Sequence, residues 1–110
     1  MHIGARMYTD PARTGDVSVD RLLELLADRR RRHVLRTLAD EPGETMTIRE
    51  LRQSLCRDSD LSERQLQQEL HHRHLPALSE VGLITVDDDV VRYRSDHRAE
   101  RLLATIDAIT

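Results

Sequence analysis

Between Ser62 and Val81 the chain carries Arg64, Gln65, Gln68 and His72 at spacings that, at 100° per residue, put them on one helical face opposite Leu66 and Leu70. Gln67 and His71 flank that face. These side chains have the chemistry of base reading. An α-helix fits the major groove, where the Gln amide pairs bidentately with adenine and the Arg guanidinium with guanine. Further along, Arg92 and Arg94 suit phosphate oxygens, which position a protein on a duplex without reading sequence. Against strong DNA affinity stand Glu63 and Glu69 on the same helix and the run Asp87-Asp88-Asp89, which phosphates repel.

Other reactive residue types carry less. His71, His72, His74 and Cys56 are ligand-type side chains, and His71 and His74 share a helical side. Structural zinc takes four protein ligands, and no second Cys or His pair accompanies these, so no metal or cofactor is expected. His74 reads instead as a hydrogen-bonded histidine at the core edge. There is no Gly-rich phosphate loop and no HExxH motif, and Cys56 continues the apolar side of a helix, so no enzyme is expected. The run Arg29 to Arg32 points around a whole helical circumference and forms no single stripe. At least one of the four is expected to bury its stem along the core edge, paired to an acid.

The elements that hold these residues announce themselves by their start signals. Thr47-Ile48-Arg49-Glu50 and Ser62-Glu63-Arg64-Gln65 are S/T-x-x-E/Q capping boxes fifteen residues apart. Ser18 is a plausible cap for a stripe beginning at Leu22, Leu23 and Leu26, which Asp28 breaks before Val34, Leu35 and Leu38. Glu41-Pro42-Gly43-Glu44 reads as a loop. The helix from Ile48 carries Leu51, Leu55 and Cys56 inward, and the one from about Glu63 to Val81 carries Leu66, Leu70, Ala77, Leu78 and Val81. Pro76 should bend or restart it, since Leu75 on an unbroken helix would face outward with Gln68 and His72. Gly82 ends it, and Leu83 to Val86 and Val90 to Tyr93 form a hairpin around a three-residue acidic tip. Ser95-Asp96 starts a last helix with the stripe Ala99, Leu102, Leu103, Ile106 and Ile109.

Composition narrows the choice of fold and partner. The 110 residues suffice for one domain, and with no Phe or Trp the core must be aliphatic and helix-rich. All seventeen basic residues are Arg, yet the net charge is -3, so any nucleic-acid contact must come from a local patch. One cysteine, no signal-like apolar run and no membrane-length stretch lead us to expect a cytoplasmic protein without membrane association.

Leu25-Leu26-Ala27-Asp28-Arg29-Arg30-Arg31-Arg32-His33-Val34-Leu35 resembles the opening helix of arsenic-repressor-type winged-helix regulators. His74-Leu75-Pro76-Ala77-Leu78 and Gly82-Leu83-Ile84 are similar to an uncharacterised haloarchaeal winged-helix family, over roughly residues 18 to 94. The resemblance implies a winged helix-turn-helix and a role in transcription as a dimeric DNA-binding regulator. The chain departs from the metal-sensing repressors, because Cys56 is alone and the last helix lacks their full Asp-His-His-Glu pattern, so metal sensing is not expected.

The expected organisation is thus mainly α with a small β-hairpin: an N-terminal arm over 1–17, a winged helix-turn-helix over 18–94 and a C-terminal helix over 95–110. The expected partners are double-stranded DNA and a second copy of the chain, met through Leu102, Leu103, Ile106 and Ile109. The alternative is a winged helix that binds another protein and no specific DNA.

Overall fold

The computed structural model describes residues 17–110. The expected N-terminal arm falls outside them except for Val17, which packs against the core. Helix α1 (Val19–Leu26) starts where the Ser18 hydroxyl accepts the Arg21 amide, and it buries Leu22, Leu25 and Leu26. Asp28 separates α1 from α2 (Arg29–Ala39) by capping the latter, accepting the Arg30 and Arg31 amides at 2.8 and 3.2 Å. Arg32 then reaches back to the Leu26 and Ala27 carbonyls, which the end of α1 leaves without helical donors.

After a 3-10 turn (Pro42–Glu44) comes a short strand that the sequence reading lacked, β1 (Thr45–Thr47). Helix α3 (Ile48–Arg57) begins in the expected capping box: Thr47 Oγ1 accepts the Glu50 amide at 3.0 Å, and the Glu50 carboxylate accepts the Thr47 amide at 2.9 Å. The turn Asp58 to Ser62 leads to α4 (Glu63–Glu69), whose box pairs Ser62 with Gln65 in the same way.

The chain does not pass straight from α4 into α5 (Leu75–Glu80). Residues Leu70–His74 form a π turn, and the Leu75 amide donates to the Leu70 carbonyl five residues back. Pro76 has no N–H to give and crowds the carbonyl four residues earlier, so a wider turn relieves the clash. The extra residue advances the helical phase by about 100°. Leu75, outward on an unbroken helix, is therefore only 4% exposed, with His74 at 1%. Ala77 is correspondingly only half-buried, although it still touches the core.

Gly82 (φ 81°) closes α5. Its amide donates to Ser79 and that of Leu83 to Leu78, a pair of reversed bonds that needs a left-handed residue between them. Strands β2 (Ile84–Asp87) and β3 (Val90–Tyr93) follow, and β3 lies in the middle of a three-stranded antiparallel sheet ordered β1-β3-β2. Asp87 pairs with Val90, so the tip is two residues, Asp88 and Asp89, rather than the expected three. Asp88 sits at φ 56°, a conformation that Asp tolerates better than most residues. The Asp89 carbonyl accepts the Ile48 amide at 2.7 Å, tying the hairpin to the start of α3.

Helix α6 (His97–Ile109), capped by Asp96, packs back on α1. Buried Tyr93 donates its hydroxyl to Glu100 at 3.2 Å, and Arg36 of α2 pairs with Asp107. Burial, reinforced by the Glu100 carboxylate, pushes the Tyr93 phenol well above its usual range. The molecule is mainly helical around one aliphatic core, in which Leu22, Leu35, Leu51, Leu66, Leu78 and Val91 are all but inaccessible.

Candidate nucleic-acid interface

The core side of α4 is set by Leu66 and Leu70, both completely buried. That orientation exposes Arg64, Gln65, Gln67, Gln68, His71 and His72, as their spacing predicts. Five of them, Arg64, Gln67, Gln68, His71 and His72, line one shallow open groove along α4 and the π turn. The sixth does not join them. Gln65 Oε1 is occupied by the amide and hydroxyl of Ser62 at 3.0 and 3.2 Å, so only its NH2 donors remain for another partner.

The acids of this helix are drawn away from the groove. Glu63 pairs with Arg52 of α3 at 3.2 Å. Glu69 is 3.8 Å from Arg30 Nε and 3.5 Å from His74 Nε2. None of the groove-lining residues is acidic, and Arg64 has no ion pair among the described residues. The offsetting effect of Glu63 and Glu69 expected from sequence is therefore spent on α2 and α3 instead.

Beneath the π turn lies a polar network. Arg31 Nε donates to His74 Nδ1 at 3.2 Å, which leaves the proton of the neutral ring on Nε2, facing Glu69. Burial lowers the His74 pKa below its ordinary 6.5, helped by the Arg31 and Arg73 charges and opposed by Asp28 and Glu69. Asp28 is held below 3.8: its partial burial works the other way, but the Arg31 and Arg30 amides and the nearby positive groups outweigh it. The buried histidine at the core edge thus ties the π turn to α2. Arg30, half-buried with its Nε 3.8 Å from Glu69, is the arginine that meets the expectation of an acid-paired stem along the core edge, whereas Arg31 meets the imidazole instead.

Arg92 is exposed on the outer face of the sheet, in one row with Thr45 and Thr85, and Arg94 is exposed just past the end of β3. They do not line the α4 groove. On α6, Leu103 is buried within its own chain and Leu102 and Ile106 are half-buried, so of the four residues expected at a subunit interface Ile109 alone is largely exposed, at 78%. Cys56 places its sulfur 3.9 Å from the Leu61 carbonyl, a turn contact. Among the described residues no three His, Cys, Asp or Glu side chains group as metal ligands, and no helix is long and apolar enough to cross a membrane.

What sequence reasoning missed is the partners of Arg30, Arg31 and Arg52, which take up the carboxylates and the imidazole behind the groove. No local motif marks them, because each pairs with a residue at least eleven positions away.

Fold and site together define a small, mainly helical domain with a three-stranded sheet that displays a polar, carboxylate-free face on one helix. The chain belongs to the family described as domain of unknown function (DUF7344), whose model matches residues 23–94. That span runs from within α1 to the end of β3 and stops short of α6. No curated protein and no solved structure gives a significant match.

Proposed function

We propose that the protein is a DNA-binding transcriptional regulator of winged helix-turn-helix type, related to the arsenic-repressor-like regulators and acting in the cytoplasm. In this reading α3, the Asp58 to Ser62 turn and α4 are the helix-turn-helix, and the β2–β3 hairpin is the wing. The observation that carries it is the α4 groove: Gln67 and Gln68 with Arg64 on an exposed helix, with both nearby carboxylates turned to partners elsewhere. Gln and Arg on a helix that enters the major groove supply the donors and acceptors that distinguish base pairs. Arg92 on the sheet face and Arg94 just past β3 take phosphates, and the acidic tip stays clear of the duplex.

Fluorescence anisotropy with DNA enriched from random sequence tests this. Affinity should fall linearly in log-log against salt, with a slope of roughly -0.9 per phosphate neutralised. Gln68→Ala should cost about 1 to 3 kcal/mol and relax preference at one base pair, whereas Arg92→Ala should weaken all sequences alike. Negligible binding at low salt overturns the proposal.

One set of observations favours a second reading, a protein-interaction module. The hairpin ends in Asp87, Asp88 and Asp89, and Val19, Leu23 and Ile109 leave 47, 42 and 78% of their surface exposed. In that case the chain forms a stable complex, either with itself or with another regulator, and shows no DNA affinity at any salt.

A further inference from the structure

A second concave site lies away from the α4 groove. A cleft of about 530 Å3 separates α2 from the turn that joins α3 to α4. Arg29, His33 and Arg36 stand at i, i+4 and i+7 along α2, with Arg30 beside them, and make one wall cationic. Asp58 and Asp60 from the turn make the facing wall anionic.

The walls are braced by their own contacts. His33 Nε2 lies 3.4 Å from Asp58 Oδ2, and Arg30 Nη1 donates to Ser59 Oγ at 3.0 Å. Arg36 is held by Asp107. Two lining residues, Arg29 and Asp60, are exposed and have no ion pair among the described residues, one from each wall. The helix terminus supplies nothing, since Asp28 already takes the Arg30 and Arg31 amides.

A bare anion meets the aspartates, and a bare cation meets the arginines, so each leaves one wall unfavourably placed. A ligand with an anionic end and a donor-bearing end satisfies both. The guanidinium fork matches phosphate, and the volume falls within the range of small-molecule sites. We propose that this cleft binds a small organic phosphate of the nucleotide or sugar-phosphate class, its phosphate on Arg29 and its hydroxyl or amino donors on Asp60. Arg30 links the braced turn to Glu69 of α4, which places the ligand beside the contacts that hold that helix.

Titration calorimetry of the full chain, without DNA, with AMP, ribose 5-phosphate, adenosine and inorganic phosphate tests this independently of the DNA-binding reading. Arg29→Ala and Asp60→Asn alter exposed residues, and circular dichroism checks that both variants fold. The expected result is one-to-one binding of AMP or ribose 5-phosphate, weakened about tenfold or more by each substitution and by loss of the phosphate in adenosine. No saturable heat at millimolar organic phosphate overturns the proposal, as does binding that neither substitution changes. Inorganic phosphate binding as tightly as the organic phosphates means an adventitious ion only and also overturns it. Loss of DNA affinity in Arg29→Ala, with no organic phosphate bound by the parent chain, assigns the wall to the DNA backbone instead.

Discussion

At the scale of single residues, the buried histidine sets how the fold answers to acid. The folded pKa of His74 lies below 6.5, so the unfolded chain takes up that proton first. Its effect on stability is absent above about pH 6.5 and grows as a loss when pH falls from there towards the folded value. Asp28 adds a separate loss at lower pH: its folded pKa is depressed, so its contribution is complete above 3.8 and disappears as pH falls through the folded value. Urea midpoints measured from pH 8 down to 3 should therefore decline in two stages. His74→Gln, whose amide still offers Arg31 an acceptor, should remove the upper stage and leave the lower one. An unchanged upper stage would show that another group titrates there.

At the scale of elements, the π turn decides which side of the helix faces which way. Leu75→Ala should cost about 2 to 5 kcal/mol in chemical denaturation, the cost of a core leucine, because the wider turn carries this residue inward. A cost of a few tenths of a kcal/mol would mean an unbroken helix with Leu75 on its surface. The caps are tested more gently: Thr47→Ala should lose about 1 kcal/mol, since it leaves the Glu50 amide without the hydroxyl that accepts it. Both capping boxes, the Asp28 break and the Gly82 stop were legible in the chain, because each is a contract between neighbours in sequence. Strand β1 was not, since Thr45 to Thr47 becomes a strand only by lying against Val90 to Arg92, some forty-five residues away.

At the scale of the whole molecule, α6 completes the core of its own chain. Leu22 and Leu26 on α1 are fully buried, and α6, which packs on that helix, buries Ala99 and Leu103. Removing residues 95–110 should therefore destabilise the fold at every protein concentration. A truncated chain as stable as the parent, but monomeric where the parent is dimeric, would assign α6 to a partner subunit instead. The Tyr93 to Glu100 bond and the Arg36 to Asp107 pair connect the same helix to the sheet and to α2.

The chain by itself determined a mainly helical, aliphatic-cored domain, the places where its helices start, and the outward face of α4. Those properties follow from local rules: capping groups satisfy amides three residues away, and a helix repeats its faces every 3.6 residues. Only the tertiary structure decided what the charges do. Whether Glu63 and Glu69 cancel Arg64 or turn to Arg52 and Arg30 depends on how α2 and α3 lie against α4. The same packing sets Arg29, His33 and Arg36 against Asp58 and Asp60. Electrostatic partnership depends on distance in space, and spacing along one helix says nothing of the charges that a neighbouring element brings within reach.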